Sequence, residues 1–426
     1  MIKPLHKNVI FFFNKLSQNT VVHSVALLMS GNALGQLVML LSLPVITRLY
    51  SPNDISLLAV YIAIMSIISI AGCLRFEIAI PIPENDKTAT NLTALALISS
   101  LMTAVLIVII LFVIWLGQIN IVVEYPLWNY AWLFPIGTVF AGLYATMSYW
   151  SIRKQRYYLV GKTRVIQMTV GSITQIGSGL MGSGYFGLLL GHLLMTSAGF
   201  FGLVRSAWIK DRYLLREISY SELRNTFIAY KNFPKFSVAE GLATTGAQQL
   251  AIILISLLVG GEEVAFFFIA IRVLQAPVSL ITNAVSKVYL QRSPMHLRNG
   301  TLRKFTNKFL LSIGGICSIP CMLFGYYSVE IFELVFGAEW ARAGKIAIVL
   351  MPMVVISLLS ASIATILNVT GQQQHMLRLK LAGFTLRVGS ILVASYLAPQ
   401  AIIETYAVVS AMVYAMYLLS FYSASK

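Results

Sequence analysis

Long apolar runs alternate with short polar joints along the chain, and the stretch from Ser30 to Pro83 illustrates this arrangement. Two apolar segments of membrane-spanning length flank one polar joint there. Within the joint, Pro52 fixes its own backbone angle, and Asn53 and Asp54 can cap a helix that starts at Ile55. The pattern predicts a transmembrane helical hairpin.

The same reading along the whole chain predicts an all-α integral membrane protein with about twelve transmembrane helices. The even number places both termini on one side of the membrane. The predicted spans are 20–46, 55–82, 91–116, 128–150, 163–181, 185–206, 236–259, 264–288, 304–326, 344–370, 377–398 and 401–422.

Composition agrees, with 11% charged and 58% hydrophobic residues and a mean hydropathy of +0.80. A soluble chain carries about 25% charged residues. The apolar runs are also longer than the strands of an outer-membrane barrel. The first basic residues, Lys3, Lys7 and Lys15, precede no convincing signal-peptide cleavage site, so we expect a retained segment at the membrane interface.

The net charge of +16 is concentrated in the joints between spans 4 and 5, 6 and 7, and 8 and 9. Because basic residues accumulate in cytoplasmic loops, this distribution predicts cytoplasmic termini and accounts for most of the charge without nucleic acid. The longest joint divides the chain into a six-helix lobe at 1–206, a cytoplasmic linker at 207–235 and a second six-helix lobe at 236–426. Similar segments in the two halves, 31–36 and 241–249, suggest a repeat, which places a substrate site between the lobes near the midplane.

No nucleophile, metal-ligand cluster or phosphate-binding glycine loop stands out, so we expect a transporter without a cofactor rather than an enzyme. Charges inside spans are the candidate site residues. Arg272 is the strongest, because it lies eight residues into span 8, about 12 Å deep, with no acidic residue evident at that depth. A guanidinium there favours a phosphate or carboxylate ligand over a structural ion pair.

Arg387 lies within span 11, where a cavity and a structural role are equally open. Arg75 and Glu77 either line the cavity or mark the cytoplasmic edge of span 2. Two residues apart on a helix they point to different sides, so we expect that they do not satisfy each other as an i,i+4 pair would. Glu77 is a candidate carrier for coupling to H⁺ or Na⁺, because buried carboxylates bind protons more tightly.

Asn32 and Gln36 are four residues apart, hence on one face of span 1. They either line a pathway or hold helices together, and the second reading is favoured because Gly31 and Gly35 permit close packing. Arg48, at the outer end of span 1, is expected to anchor the helix at the interface, with gating as the lesser alternative.

Several segments in order resemble the lipid-linked oligosaccharide flippases that serve O-antigen and other surface polysaccharides, in the multidrug/oligosaccharidyl-lipid/polysaccharide superfamily. Ile55-Ser56 replaces the family's Phe-Gly after the Ser-Pro turn. The segments are GNALGQ at 31–36, LPVITRLYSP at 43–52, LRFEIAIP at 74–81, ATNL at 89–92, FGAEW at 336–340 with Ala343-Gly344, and TGQQ at 370–373.

The resemblance implies a V-shaped two-lobed bundle in the bacterial inner membrane with a cationic central cavity. It also implies the substrate, an undecaprenyl-diphosphate-linked glycan repeat moved to the periplasmic leaflet, in which Arg272 and Arg75 meet the diphosphate or acidic sugars. Membrane lipids and other polysaccharide-assembly proteins are the expected partners.

Three alternatives differ in their charges. A multidrug and toxin extrusion antiporter shares this fold but needs buried acids for organic cations, and span 1 has none between Thr20 and Ile46. A major-facilitator carrier would have a glycine-and-basic run at 82–91. A membrane glycosyltransferase or polymerase needs acidic or nucleophilic groups in large loops, whereas the loops here are short and mostly basic.

Overall fold

The computed structural model describes residues 20–119, 125–369 and 372–424, with side chains from Ser30 onward except at 215–217, 368–369 and 373. Every regular element within these ranges is a helix. The expected interfacial segment with Lys3, Lys7 and Lys15 lies outside the described residues, as does the 370–371 part of the TGQQ motif.

The first half contains nine α-helices and short 3₁₀ turns at Pro126–Tyr130 and Arg212–Glu217 among its described residues. The helices are α1 Thr20–Leu49, α2 Pro52–Gly72, α3 Phe76–Ala79, α4 Asp86–Leu116, α5 Leu133–Arg153, α6 Tyr157–Leu180, α7 Tyr185–Ser197, α8 Phe200–Asp211 and α9 Tyr220–Ala229.

A π-helical turn at Phe233–Ser237 precedes the second half, which has further 3₁₀ turns at Ala338–Trp340 and Pro399–Ala401. Its helices are α10 Val238–Leu258, α11 Glu263–Arg298, α12 Leu302–Tyr326, α13 Ser328–Phe336, α14 Ala341–Ile363, α15 Ile366–Val369, α16 Gln373–Leu397 and α17 Ile402–Ser423.

The predicted fold class is confirmed. Nine helical segments of the described chain are long and apolar enough to cross a membrane. The more polar helices α5, α6 and α16, with 21, 24 and 25 residues, are also of membrane-spanning length. In chain order these twelve segments correspond to the twelve predicted spans, so the protein is a multi-pass helical membrane protein.

The joint after α1 caps the next helix differently from the prediction. Helix α2 begins at Pro52 rather than Ile55, and Ser51 is its capping residue. The Ser51 hydroxyl accepts from the Asp54 amide at 3.2 Å, and the Asp54 carboxylate accepts from the Ser51 amide at 3.1 Å. This reciprocal pair, with proline at the first helical position, is the chemistry of a capping box.

Contacts divide the described chain into two units. The first comprises the described residues up to Ser42 and Ile68–Val238, and the second Leu43–Ile67 and Ala239 onward. The sequence-based boundaries at 206 and 236 remain a prediction, which did not foresee that 43–67 would group with the second half. The predicted linker packs within the first unit, where Leu214 is buried and the Phe227 ring lies 5.8 Å from that of Phe76.

The motif segments at 74–81 and 89–92 form one core in the first unit. Phe76, Ile80, Ala89 and Leu92 are fully buried in a single cluster. Arg153 of α5 holds the chain between them, because its guanidinium donates to the carbonyls of Ile80 (3.3 Å), Pro83 and Glu84 (3.1 Å) and to the carboxylate of Asp86 (3.1 Å).

The motif segments at 43–52 and 336–340 meet in the second unit. Trp340, which is buried, donates from Nε1 to the Thr47 carbonyl at 3.4 Å, and the Thr47 hydroxyl donates to the Phe336 carbonyl at 3.3 Å. Arg48 donates from Nη2 to the Leu334 carbonyl at 3.2 Å. These segments therefore stabilise a helix-end junction.

Gly31 provides a test of the packing in the first unit. A Cβ atom added there would lie 2.5 Å from the Gly161 Cα on α6, a backbone atom that cannot move alone. We expect Gly31→Ala to lower the free energy of unfolding by about 1–3 kcal/mol through overpacking. Thermal unfolding of the detergent-purified protein measures this change.

Gly177→Ala is the matched control, since it lies on α6 and nothing stands within 4 Å of its added Cβ. Alanine there should leave the unfolding midpoint unchanged or slightly raised, because it favours helix over glycine. Equal midpoints for the two variants would contradict the close approach at Gly31.

Candidate functional site

Arg387 on α16 is a buried cation held by aromatic rings. It is 5% exposed, and its guanidinium carbon lies 4.4 Å from the ring centre of Tyr414 and 6.0 Å from that of Tyr417, both on α17. Its Nε and Nη2 atoms find no hydrogen-bond partner among the described residues. Gly383, one turn earlier on α16, leaves room for the Tyr417 hydroxyl, which a Cβ would displace.

Arg272 on α11 is a second aromatic-stacked cation of the same unit. Helix α11 begins at Glu263, so Arg272 stands nine residues, or about 14 Å, from its start. The side chain is half-buried, and its guanidinium carbon lies 4.7 Å from the ring centre of Phe268. Within the described chain, Arg272 forms no ion pair. A face of Phe supplies cation–π attraction but no hydrogen-bond acceptor, so the N–H donors of Arg272 remain available.

Three acidic side chains of the second unit pair with cations other than Arg272 and Arg387. Glu263, at the start of α11, accepts from Arg342 at 3.0 Å, and Glu404 accepts from the same guanidinium at 3.5 Å. Glu240 accepts from Lys380 at 3.0 Å. Two cations of the second unit are therefore paired with carboxylates, whereas Arg272 and Arg387 are bound by rings among the described residues.

The two arginine-bearing helices are joined through α17. The Phe267 ring of α11 contacts Tyr406 of α17 edge-on, with centres 5.6 Å apart. Tyr406, Tyr414 and Tyr417 lie along α17 at helical spacing, and Gln248 of α10 donates to the Tyr414 hydroxyl at 3.5 Å. Among the described residues no three His, Cys, Asp or Glu side chains converge as metal ligands. The chemistry that this region offers is therefore cationic and aromatic.

Arg75 and Glu77 are brought together, and the prediction that they would not pair is wrong. The helix breaks after Gly72, because Leu74 and Arg75 adopt left-handed backbone angles with φ of 49° and 64°. The Arg75 Nη1 atom consequently lies 3.9 Å from a Glu77 carboxylate oxygen. Glu77 is 5% exposed, and its other carboxylate oxygen, Oε2, has no hydrogen-bond partner among the described residues.

The candidates of α1 separate into different surroundings. Gly31 and Gly35 face α6, as close packing requires, and Asn32 is exposed. Gln36 is half-buried and has an interaction partner. Arg48 belongs to the junction with Leu334 described above.

Sequence reasoning did not select Arg164, because it counted this residue with the basic joint between spans 4 and 5, although residue 164 is the second of predicted span 5. Helix α6 begins at Tyr157, so Arg164 lies about two turns inside it. Its guanidinium carbon lies 5.5 Å from the ring centre of Tyr144, and its Nη1 atom donates to Gln167 at 3.2 Å. The buried polar residues Gln167 and Gln175 on the same helix were the available signal.

A family profile described as "Polysaccharide biosynthesis protein" matches residues 45–345, which is more than half of the chain. The chain belongs to the polysaccharide biosynthesis protein family. The resemblance to flippases of the multidrug/oligosaccharidyl-lipid/polysaccharide superfamily, carried by the motif segments, is thereby confirmed at the level of the family. No curated protein matches the chain by sequence.

Solved structures of this superfamily share the fold of this family member. An inward-facing multidrug resistance MATE transporter is similar with a TM-score of 0.68 at 14% identity, covering 92% of this chain and 95% of that one. The lipid II flippase MurJ gives 0.66 at 14%, covering 90% and 85%. A Pyrococcus furiosus transporter, described as having a binding pocket of reverse polarity, gives a TM-score of 0.58 at 15% identity, covering 95% of this chain and 96% of that one. At such identities the likeness shows the fold alone.

The burial of Glu77 predicts a pH dependence of stability. Burial raises its pKa above the ordinary 4.5, because desolvation disfavours the carboxylate, and Arg75 only partly offsets this. The residue lies beyond the candidate span that ends at Gly72. Between the ordinary and the raised pKa the folded state binds more protons than the unfolded state, so the free energy of unfolding falls as pH rises through that window.

Glu77→Gln removes this titration. We expect the thermal midpoint of the variant relative to wild type to increase as pH rises from about 5 to about 8, which a pH series of melting curves measures. The exposed Glu84→Gln is the matched control and should show a constant difference. A decreasing or constant difference for Glu77→Gln would contradict the assignment.

Proposed function

We propose that this protein is a flippase that carries an undecaprenyl-diphosphate-linked glycan repeat, for O-antigen or another surface polysaccharide such as that of lipopolysaccharide, from the cytoplasmic to the periplasmic leaflet. Its place would be the bacterial inner membrane, with both termini in the cytoplasm and with other polysaccharide-assembly proteins as partners. The family assignment and the sign of the charge in the second unit support this proposal.

The single observation that carries the proposal is the pair of arginines bound by rings. Arg272 and Arg387 have no carboxylate partner among the described residues, so an incoming anion does not have to displace one. A guanidinium binds phosphate through two parallel N–H donors. Two or three such contacts at about 1.5–3 kcal/mol each would hold a diphosphate while the polyprenyl tail remains in lipid.

The tyrosines give Arg387 its role in this scheme. Tyr414 and Tyr417 stack on the guanidinium without neutralising it, which fixes the plane of the donors before the ligand arrives. Arg75 and Arg164 of the first unit would add positive charge, with Glu77 partly offsetting it. Transport would follow alternating access, in which the predicted lobes rock about the 207–235 linker.

A cation-coupled multidrug antiporter is the second candidate, favoured by the fold shared with the MATE transporter. An organic cation bound in the second unit, beside Arg272 and Arg387, would need carboxylates there that are not already paired with a cation of the protein. The second-unit carboxylates Glu240, Glu263 and Glu404 pair with Lys380 or Arg342. The positive charges of Arg272 and Arg387 would repel an organic cation near them, so the sign of these charges argues against the antiporter.

Deletion of the gene, followed by complementation with variants, tests the flippase proposal. We expect the deletion to deplete surface glycan and accumulate the lipid-linked intermediate, and wild type to reverse both. Arg272→Ala should lower the translocation rate roughly 10–100-fold, the loss of one charge-assisted contact. Arg272→Lys should restore part of it, because the charge remains but the fork is lost. Glycan gels and quantification of the intermediate measure these effects.

Arg303→Ala is the matched control, because this arginine also lies over an aromatic ring, that of Tyr422 at 5.6 Å, yet is exposed. It should complement fully. Normal translocation by both Arg272→Ala and Arg272→Lys would refute the anion-binding role. Drug sensitivity of the deletion strain with an unchanged glycan would instead establish the antiporter.

Coupling to H⁺ or Na⁺ rests on Glu77 and is proposed as part of this function. In proteoliposomes with an imposed ion gradient, the Glu77→Gln variant should lose the gradient-dependent part of transport and keep the gradient-independent part. The exposed Glu84→Gln variant serves as the control. Unchanged gradient stimulation in Glu77→Gln would eliminate the coupling role.

A further inference from the structure

A basic pocket of about 470 Å³ lies at the junction of α11 and α12, remote in sequence from the arginines proposed above. Two helical stripes face each other across it. Arg292 and His296 are four residues apart on α11, and Lys304, Lys308 and Ser312 follow the same spacing on α12. Residues four apart share a helix face, so the three cations converge on one space.

Packed aromatic rings form the floor of the pocket. The His296 ring stacks on Phe305 with centres 4.3 Å apart and an 11° interplanar angle, and its Nδ1 lies 2.9 Å from the Thr301 hydroxyl. Tyr289, fully buried, packs against Phe305 at 5.5 Å and Phe309 at 5.0 Å. These rings join a buried cluster of the second unit, so the pocket is held by the core.

The cations of the pocket lack counter-charges. Arg292, Lys304 and Lys308 form no ion pair among the described residues, and none of the described residues lining the pocket is acidic. The sequence contains no aspartate or glutamate between Glu263 and Glu330. The pocket therefore attracts an anion.

The surroundings on α12 indicate an anion that carries alkyl chains. Lys308 is the last charged residue before Glu330, and the helix beyond it exposes Leu311 (76%), Ile316 (75%) and Ile319 (66%). An exposed apolar face on a membrane-spanning helix contacts acyl chains. A phosphodiester in the pocket with its chains along α12 would satisfy both surfaces, whereas inorganic phosphate would satisfy only the first.

We propose that this pocket is a binding site for the head group of an anionic diacyl phospholipid, phosphatidylglycerol being the simplest probe. Basic pockets between transmembrane helices on the cytoplasmic side recognise phosphate head groups in this manner. The Ser312 hydroxyl donates to the Lys308 carbonyl at 2.7 Å, so the donors to the phosphate oxygens are the charged groups of Arg292, Lys304 and Lys308. The site differs from Arg272 and Arg387 in residues and in ligand.

The test uses the full-length protein purified in detergent and supplied with dioleoyl phosphatidylglycerol or dioleoyl phosphatidylcholine. Retained lipid is counted by mass spectrometry, and the thermal midpoint is recorded with each lipid. The pocket variant combines Arg292→Gln, Lys304→Gln and Lys308→Gln. Each basic side chain near the membrane surface contributes about a factor of five to binding, so this variant should retain roughly 100-fold less phosphatidylglycerol and as much phosphatidylcholine as wild type.

A matched control removes the same charge from the same two helices outside the pocket and should retain the lipid as wild type does. Equal retention by the two triple variants would overturn the proposal. If the pocket triple does not fold, Lys304→Gln alone should still lose about five-fold, and no loss there is equally decisive against the site. The control combines Lys287→Gln, Arg298→Gln and Arg303→Gln.

Inorganic phosphate distinguishes a lipid site from a free-anion site. Phosphate at millimolar concentration, without lipid, should leave the thermal midpoint of the wild-type protein unchanged, and phosphatidylglycerol should raise it. A phosphate shift as large as the lipid shift would overturn the lipid assignment. The lipid shift should diminish with added salt, because the attraction is electrostatic.

Discussion

A guanidinium inside an apolar helical bundle must be compensated, and the way in which this is achieved determines what the second unit can bind. Carboxylates compensate Arg342 and Lys380, and these ion pairs stabilise the fold. Rings compensate Arg272 and Arg387, which lowers the cost of burial but leaves the charge unneutralised. An anion is the ligand that we propose to complete the compensation.

The motif segments that connect the chain with its family are mainly structural. The 74–81 and 89–92 segments form a buried cluster tied by Arg153, and the 43–52 and 336–340 segments form the Thr47, Phe336 and Trp340 junction. Such segments identify the fold because their packing tolerates few substitutions. The substrate must be inferred from Arg272 and Arg387, which lie outside them.

Apolar runs separated by polar joints were sufficient to predict the order of the twelve segments, since a helix must satisfy its backbone in lipid wherever apolar residues persist; nine of these segments are also apolar enough by hydropathy among the described residues. Depth along one helix selected Arg272 as a candidate, and its role stays a prediction. Neither could predict the pairing of Arg75 with Glu77, because it depends on two left-handed residues at a helix break. Nor could sequence spacing reveal the rings around Arg387, which belong to the next helix of the chain and are positioned by tertiary packing.

Helix α11 carries two anion-attracting positions that lie far apart along its axis. Arg272 and Arg292 are twenty residues apart, so at 1.5 Å per residue about 30 Å of helix lies between them. That distance equals the thickness of a bilayer hydrocarbon core, and it exceeds the reach of any one head group. A lipid at Arg292 therefore cannot occupy the position at Arg272. Because the two positions also share no residue, a loss at one is separable from a loss at the other.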